Sequence, residues 1–426
     1  MNKSILVISY YSNMPGACQA EWVDDRIFAF IQKGYKVSLI SATCCFKHNN
    51  INILDHIRIP TLSPHGCRYE FDEIKRRSIP VNKFSITYLF LSLSSKVDFF
   101  LNKLNLKSGE GRWSWFLSSI IASIRHGLIK NKEFIYTTGG PASAHLTGIL
   151  LAKLYGKKVI CEFQDPLSGK DIGRNKLSQI GLKFFERLII KHADITIYCT
   201  RNAMLDAFEK YSKYKSKISY VYPGANLLNK NKNLLNHNNA NDFNPKRKIK
   251  ITYLGSLYQT RNLDTLMHAI DELVYEGYPI HTLLEIHIYG NINSDIKQRI
   301  INFKHKLIII HGLVDRNEAM QKAINSDVLL LIQNTDDRSV VTIPFKTYDY
   351  MHTGKLILGL TYRNDELENM LSSHGHLVCQ ANDIPEIKLK LKSLLLNFNQ
   401  HQTKILDSDY TPGLAVNSMI QLINPS

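Results

Sequence analysis

The sequence is short of acid. Against 53 Lys and Arg it carries only 37 Asp and Glu over 426 residues, a formal net charge of +16 at pH 7. So basic a chain favours anionic company: nucleic acid, a nucleotide-bearing small molecule or the anionic face of a membrane. Cysteine is sparse as well. The seven residues, at 18, 44, 45, 67, 161, 199 and 379, include no C-x-x-C pair, which argues against a disulfide framework or a zinc site and for a reducing compartment. Long apolar runs are missing too. Ile5 to Ile8 is interrupted by Tyr10, Tyr11, Ser12 and Asn13 before a signal-peptide core could form, so export is not expected. The longest charge-free run, 134–152, contains Gly139, Gly140 and Pro141 and fails as a spanning helix, which needs ~20 mostly apolar residues.

Several catalytic signatures are absent: G-x-x-x-x-G-K-[ST], G-x-G-x-x-G, H-E-x-x-H and G-x-S-x-G. The one D-x-D, Asp407-Ser408-Asp409, stands in a polar stretch near the C-terminus, where a helix cap or turn is its simpler role. A metal-bridged diphosphate site is thereby disfavoured, and no metal is expected. Lys and Arg are spread along the chain without a helix-turn-helix, an aromatic RNP1-like run or a GXXG loop, so no nucleic-acid partner is expected.

What is present is alternation. SILVISYY, KVSLIS (36–41), FIYTT (134–138), KKVICEF (157–163) and DITIYCT (194–200) are short β-rich apolar runs separated by helix-periodic segments. An Asn-rich stretch, NLLNKNKNLLNHNNANDFNP, follows between Gly224 and Pro245. Alternation then restarts with KIKITYLGS (248–256), LLEIHIYG (283–290), KLIIIHG (306–312), DVLLLIQ (327–333) and KLILGL (355–360). Buried strands alternating with helices imply two doubly wound, Rossmann-like parallel-sheet domains of α/β class, with ligands beyond the carboxyl ends of the strands in a cleft between them. The expected organisation is an N-terminal domain 1–223, a linker 224–245, a C-terminal domain 246–400 and a C-terminal helix within 401–426 that crosses back to the first domain. The segment 84–130 stands apart: two charge-free stretches rich in Leu, Ile, Phe, Trp and Ser are flanked by Lys83, Lys96, Arg112, Arg125 and Lys130. It fits either a pair of packed core helices or a basic, aromatic surface at a membrane interface, with Trp113, Trp115 and Phe116 as contacts.

Candidate site residues sit at strand ends. Tyr253-Leu254-Gly255-Ser256 ends a strand and Arg261 precedes the next helix. A glycine there lets backbone N–H groups approach a phosphate, and a guanidinium can grip its oxygens; the plain alternative is an ordinary βα turn. Pro344-Phe345-Lys346-Thr347-Tyr348-Asp349 opens a helix that Gly354 stops, with Lys346 and Asp349 one turn apart on one face, or simply a surface ion pair. In the N-terminal half His145 begins an apolar helix, as a core histidine or a substrate contact, and Asp165 ends a strand before Pro166, as an Asx turn or a cleft-facing carboxylate.

With these residues the chain resembles glycosyltransferase family 4: retaining, sugar-nucleotide-dependent enzymes of the GT-B fold, especially those of bacterial surface polysaccharides. The likeness spans roughly 1–45, 136–226 and 250–360. Pro15-Gly16-Ala17 resembles the glycine loop after the first strand. Gly139-Gly140-Pro141-Ala142-Ser143-Ala144-His145 with Phe163-Gln164-Asp165-Pro166 resembles the family's G-P-x-S-x-H and F-R-D-P, and Tyr222-Pro223-Gly224-Ala225-Asn226 its P-x-G-x-D. The resemblance implies donor binding by Gly16, Gly255, Ser256, Arg261, Lys346 and Asp349, acceptor or sugar contact by His145 and Asp165, and catalytic work by Arg261, Lys346 and Asp165. Three departures stand out: Ser256 replaces an Arg, Asp349 replaces the Glu that contacts ribose, and Val341 stands where many members place a further Glu. Implied further are a nucleoside-diphosphate sugar as co-substrate with no cofactor, a lipid-linked glycan acceptor, and a cytoplasmic protein peripheral on the inner membrane face. The pathway would be capsule, O-antigen or exopolysaccharide synthesis. A catalytically weak sugar-nucleotide-binding subunit is the alternative, suggested by Ser256 and Val341, with a nucleic-acid-binding protein, suggested by charge alone, as a weaker second.

Overall fold

A computed structural model describes residues 3–14, 17–48, 53–104, 111–169, 176–225, 248–398 and 410–424. The chain divides into two compact units, Met1–Tyr222 with Pro412–Ser426, and Pro223–Thr411.

The first unit contains β1 (Ser4–Ile8), β2 (Lys36–Ala42), β3 (Asp55–Ile59), β4 (Phe134–Thr138), β5 (Lys158–Phe163), β6 (Ile195–Tyr198) and β7 (Ile218–Tyr220). They form a sheet of order β3-β2-β1-β4-β5-β6-β7 in which every pair is parallel. β1 and β4 are buried throughout, as parallel strands covered on both faces must be, which is why they read as unbroken apolar runs. Order reverses at β1, whose neighbours are β2 and β4, so the carboxyl ends of β1 and β4 border the crevice where such sheets take ligands. The helix Pro412–Ile423 returns to pack on Cys18–Gln32, and Val416, Met419 and Ile423 share a core with Val23, Ile27 and Phe30.

Sequence patterning misses β3 and the helix Pro64–Arg76, because DHIRI alternates weakly and the helix is strongly polar. Within 84–130 lie two helices, Ile86–Lys103 and Trp115–Arg125. The reading of this segment as a pair of core helices is corrected: of the first helix only Leu91 and Asp98 are buried, while Phe84, Ile86, Leu93, Phe99 and Phe100 are exposed. The opposite correction applies to Trp115. It is fully buried, its Nε1 donates to the Ile59 carbonyl at 3.2 Å, and it belongs to the core, whereas Trp113 is exposed.

The second unit contains β8 (Ile249–Leu254), β9 (Leu284–Tyr289), β10 (Ile308–Gly312), β11 (Val328–Ile332), β12 (Leu356–Thr361) and β13 (Leu377–Gln380), all parallel, in the order β10-β9-β8-β11-β12-β13. Order reverses at β8. One face packs on Asp264–Tyr275 and Ile384–Asn397, with Leu266, Ile270, Leu273, Ile387, Leu391 and Leu394 filling the core. The latter helix starts cleanly because Asp383 accepts from the Glu386 N–H at 2.9 Å and Pro385 occupies its first turn.

Candidate functional site

In the second unit the site begins with backbone. Gly255, just past β8, has φ 131°, and Gly290, just past β9, has φ 146°, both in the region that favours glycine. A Cβ on Gly290 would strike the Gly255 carbonyl, so the two loops touch backbone to backbone. The Gly255 N–H donates to the Tyr289 carbonyl at 2.8 Å and the Gly290 N–H to that of Gly312 at 2.7 Å. A Cβ on Gly255 would instead meet the Lys346 ammonium. Only glycine admits this cation to the strand end.

Lys346 opens the helix Lys346–Met351, donates from Nζ to the Leu254 carbonyl at 2.5 Å and stands 4.2 Å from the Tyr253 ring centroid. Its helix is seated by Tyr350, whose hydroxyl accepts from the Leu254 N–H at 2.9 Å. Tyr253 is buried and donates to the Ser256 carbonyl at 3.0 Å. Burial pushes its pKa up to about 12, with the neighbouring Arg261 guanidinium pulling the other way. Arg261 is carried by a tight turn in which Tyr258 and Arg261 exchange backbone hydrogen bonds at 3.0 Å, and its buried Nε has no hydrogen-bond partner among the described residues. Gly255, Ser256, Arg261 and Lys346 thus converge on one ring, Tyr253. Lys346 lies over the Tyr253 ring, and the Arg261 guanidinium lies 5.5 Å from the Tyr258 ring centroid and acts on the Tyr253 hydroxyl, so two cations share one strand end with exposed backbone dipoles, an arrangement suited to a multiply charged anion.

Asp349 is engaged elsewhere. Its Oδ1 accepts from Arg316 at 2.9 Å, and both side chains are largely sheltered. Arg316 is the first residue of the helix Arg316–Ile324 after β10, and nothing in its local sequence announced the pairing. The loop after β11 supplies another carboxylate that sequence reasoning missed. Asp336 accepts from Arg338 at 2.7 Å and from Thr260, in the β8 loop, at 3.4 Å. Its partial burial acts to raise the pKa, yet Arg338 holds it below the usual value. Gln333 and Asn364 donate to the carbonyls of Ser339 and Thr342 and so fix the loop in which Val341 stands half-buried.

In the first unit a cavity of about 520 Å³ opens at the carboxyl ends of β1, β4 and β5. Tyr11, Gly139, Pro141, Gln164 and Asp165 contribute from these strand ends, and Arg112, Trp113, Phe116, Leu182 and Phe185 from flanking segments. Arg112 donates to the Tyr11 hydroxyl at 2.5 Å and its guanidinium lies 5.5 Å from the Tyr69 ring centroid. Behind the wall, buried Glu162 accepts from Arg26 Nη2 at 2.8 Å, Thr138 at 2.8 Å, Trp22 at 3.2 Å and the Tyr136 hydroxyl. This network fixes β4 and β5 where they carry the cavity loops.

The predicted residues divide accordingly. Asp165 lines the cavity. His145 does not: it is enclosed, its Nδ1 lies 2.8 Å from the Thr137 hydroxyl, its ring meets Phe163 edge-on, and burial lowers its pKa to about 4. It is a neutral core histidine at physiological pH. Gly16 lies outside the described residues, as do Asn226 and Asp407-Ser408-Asp409. Gln164, Arg112 and Tyr11 were missed; only the position of Gln164 at a strand end could have suggested it.

No protein-family model matches the chain, and no curated protein matches it. Solved structures do. Sucrose-phosphate synthase from Thermosynechococcus elongatus is similar over 99% of this chain and 94% of its own, at 12% identity and a TM-score of 0.60. Anabaena HepE in complex with UDP is similar over 99% and 95% at 11% identity and 0.54, and UDP-GlcNAc 2-epimerase from Methanocaldococcus jannaschii over 100% and 100% at 13% and 0.52. At such identities the likeness is one of fold. The fold is GT-B: two Rossmann-like units built on all-parallel sheets.

Proposed function

We propose that the protein is a sugar-nucleotide-dependent glycosyltransferase of the retaining, family 4 kind, acting on a lipid-linked glycan of a bacterial surface polysaccharide from the cytoplasmic side of the membrane. The observation that carries this reading is the convergence of Gly255, Arg261 and Lys346 on Tyr253 at the end of β8. A departing nucleoside diphosphate gains negative charge in the transition state, and preorganised cations and backbone donors placed there lower the barrier most. Arg261 and Lys346 fill that role, which is why no metal is required in this proposal. Asp349, steadied by Arg316, accepts from ribose hydroxyls. The oxygen of the donor phosphate itself takes the acceptor proton, so the chain supplies orientation and charge rather than a base. Acceptor binding falls to the cavity of the first unit, with Asp165 and Arg112 as its polar contacts among aromatic walls. Solved structures of the same fold include one in complex with UDP, which supports a nucleotide-bearing ligand.

A second reading, a binding subunit with little turnover, is favoured by Val341 and Ser256, where acid and cation are lacking. Incubation of the pure protein with labelled sugar nucleotides, with and without a polyprenyl-diphosphate acceptor, separates the two. Transfer or slow donor hydrolysis that survives excess chelator supports the transferase. Tight donor binding without either reaction leaves the subunit, and turnover restored only by added magnesium or manganese overturns the metal-free donor site.

A further inference from the structure

The helix Lys176–His192 contributes to two cavities. Leu182 and Phe185 line the cavity described above. Ile180, Lys183, Phe184 and Arg187, spaced three and four residues apart, share another flank. Together with Lys210, Tyr211, Ser212, Lys213 and Tyr214 they line a second, open cavity of about 460 Å³. Four of its nine lining side chains are cationic and none is acidic. Two carboxylates of the described residues around it are already engaged. Glu186 is buried and accepts from Tyr198 at 2.8 Å and Tyr211 at 3.0 Å, and Asp206 pairs with Lys210 at 2.5 Å. Among the described residues that line the groove, Lys183, Arg187 and Lys213 face no acid in its wall. At its rim Ile180 is 65% and Phe184 61% exposed.

We propose that this groove is a phosphate-binding site whose occupant is the headgroup of an anionic lipid, and that it seats the helix at a bilayer surface. Charge complementarity selects the phosphate. The exposed Ile180 and Phe184 select the lipid, because a soluble phosphate has no use for apolar side chains beside it, whereas an interface takes cations and aromatic anchors together. The same helix would then hold the aromatic cavity on its other flank beside the membrane from which a lipid-linked acceptor arrives. This inference deepens the membrane-peripheral reading above, yet it rests on the groove and not on the segment 84–130.

The test is co-sedimentation of the full chain with neutral vesicles and with vesicles containing anionic phospholipid. Binding to the anionic vesicles only is expected. Loss of each cation should weaken partition about five-fold, so that Lys183→Ala with Arg187→Ala weakens it about 25-fold. Lys213→Glu, on a separate segment, should repeat the loss, and Phe184→Ser should lower binding without changing its salt dependence. Unchanged melting temperatures show that these variants fold. Donor hydrolysis assayed without vesicles should be normal in all of them, so a failure of the groove and a failure of the transferase reading are told apart. Wild-type partition in the double variant, equal binding to neutral vesicles, or binding of inorganic pyrophosphate through the same cations without any vesicle binding would overturn the proposal. So would salt-dependent retention on single-stranded DNA by the same three cations in place of vesicle binding.

Discussion

At the ends of β8 and β9 the chain builds with backbone: Gly255 and Gly290 touch, and the space a side chain would have filled admits the Lys346 ammonium. At the ends of β4 and β5 it builds with side chains, and the Gln164 side chain packs beside Gly139 in the wall of a cavity that Trp113, Phe116 and Phe185 also line. The two sheets share one design, yet one unit offers concentrated positive charge and the other an aromatic surface with a few polar groups. Parallel sheets fix where loops emerge and leave their chemistry open. In the function proposed above, a compact diphosphate would be matched by the first kind of loop and a bulkier, partly apolar acceptor by the second.

The comparison breaks most visibly at Glu162. Glu162→Ala leaves the Arg26 guanidinium buried without its carboxylate and should cost ~3–5 kcal/mol of stability. Denaturant unfolding measures the loss. Donor affinity of the protein that remains folded should be unchanged, since this network belongs to the first unit alone.

Arg261→Ala probes the charged loop. Turnover should fall by ~10²-fold or more, with a smaller effect on donor binding, because the leaving diphosphate needs the cation most in the transition state. Steady-state kinetics with saturating donor decides it, and an unchanged kcat would remove Arg261 from the site.

Stability against pH sharpens the contrast further. Glu70 is fully buried, accepts from the Thr61 N–H at 2.8 Å and the Tyr10 hydroxyl at 3.1 Å, and burial raises its pKa to about 7. Folded, this carboxyl holds its proton more tightly than unfolded. Its stabilisation is therefore complete below about pH 4.5 and lost as pH rises through about 7, a decline of about 3 kcal/mol. Glu70→Gln should flatten that slope in thermal melts collected across the range.

The smallest effect is expected at Arg316. Arg316→Ala frees Asp349 from its partner and should raise the donor KM ~10-fold with little change in kcat, as for a contact made equally in ground and transition states. Arg316→Lys should restore part of the loss, and a KM unaffected by either change would leave the pair a structural one.

Much of the fold was legible because parallel strands buried on both faces are uninterrupted apolar runs, and five such runs recur in each half. β3 escaped because its residues are only half-buried and carry charge. Among the candidate site residues, Gly255, Arg261 and Lys346 were legible because a strand end followed by glycine, or a proline before a helix, marks a place where backbone donors are exposed. Arg316 and Asp336 were not, since each acts through a partner 33 or 76 residues away.

The sequence by itself determined the alternation of strand and helix, the glycines at the strand ends and the surplus of cations, all properties of local pattern and composition. Tertiary structure decided which cations meet. Arg261 and Lys346 are far apart in the chain, yet both reach Tyr253 at the end of β8, an inner strand of its sheet. It also decided that His145 is core and Trp115 is buried while Trp113, two residues before it, is exposed. Burial depends on what packs against a residue from elsewhere in the chain, and no local pattern carries that information.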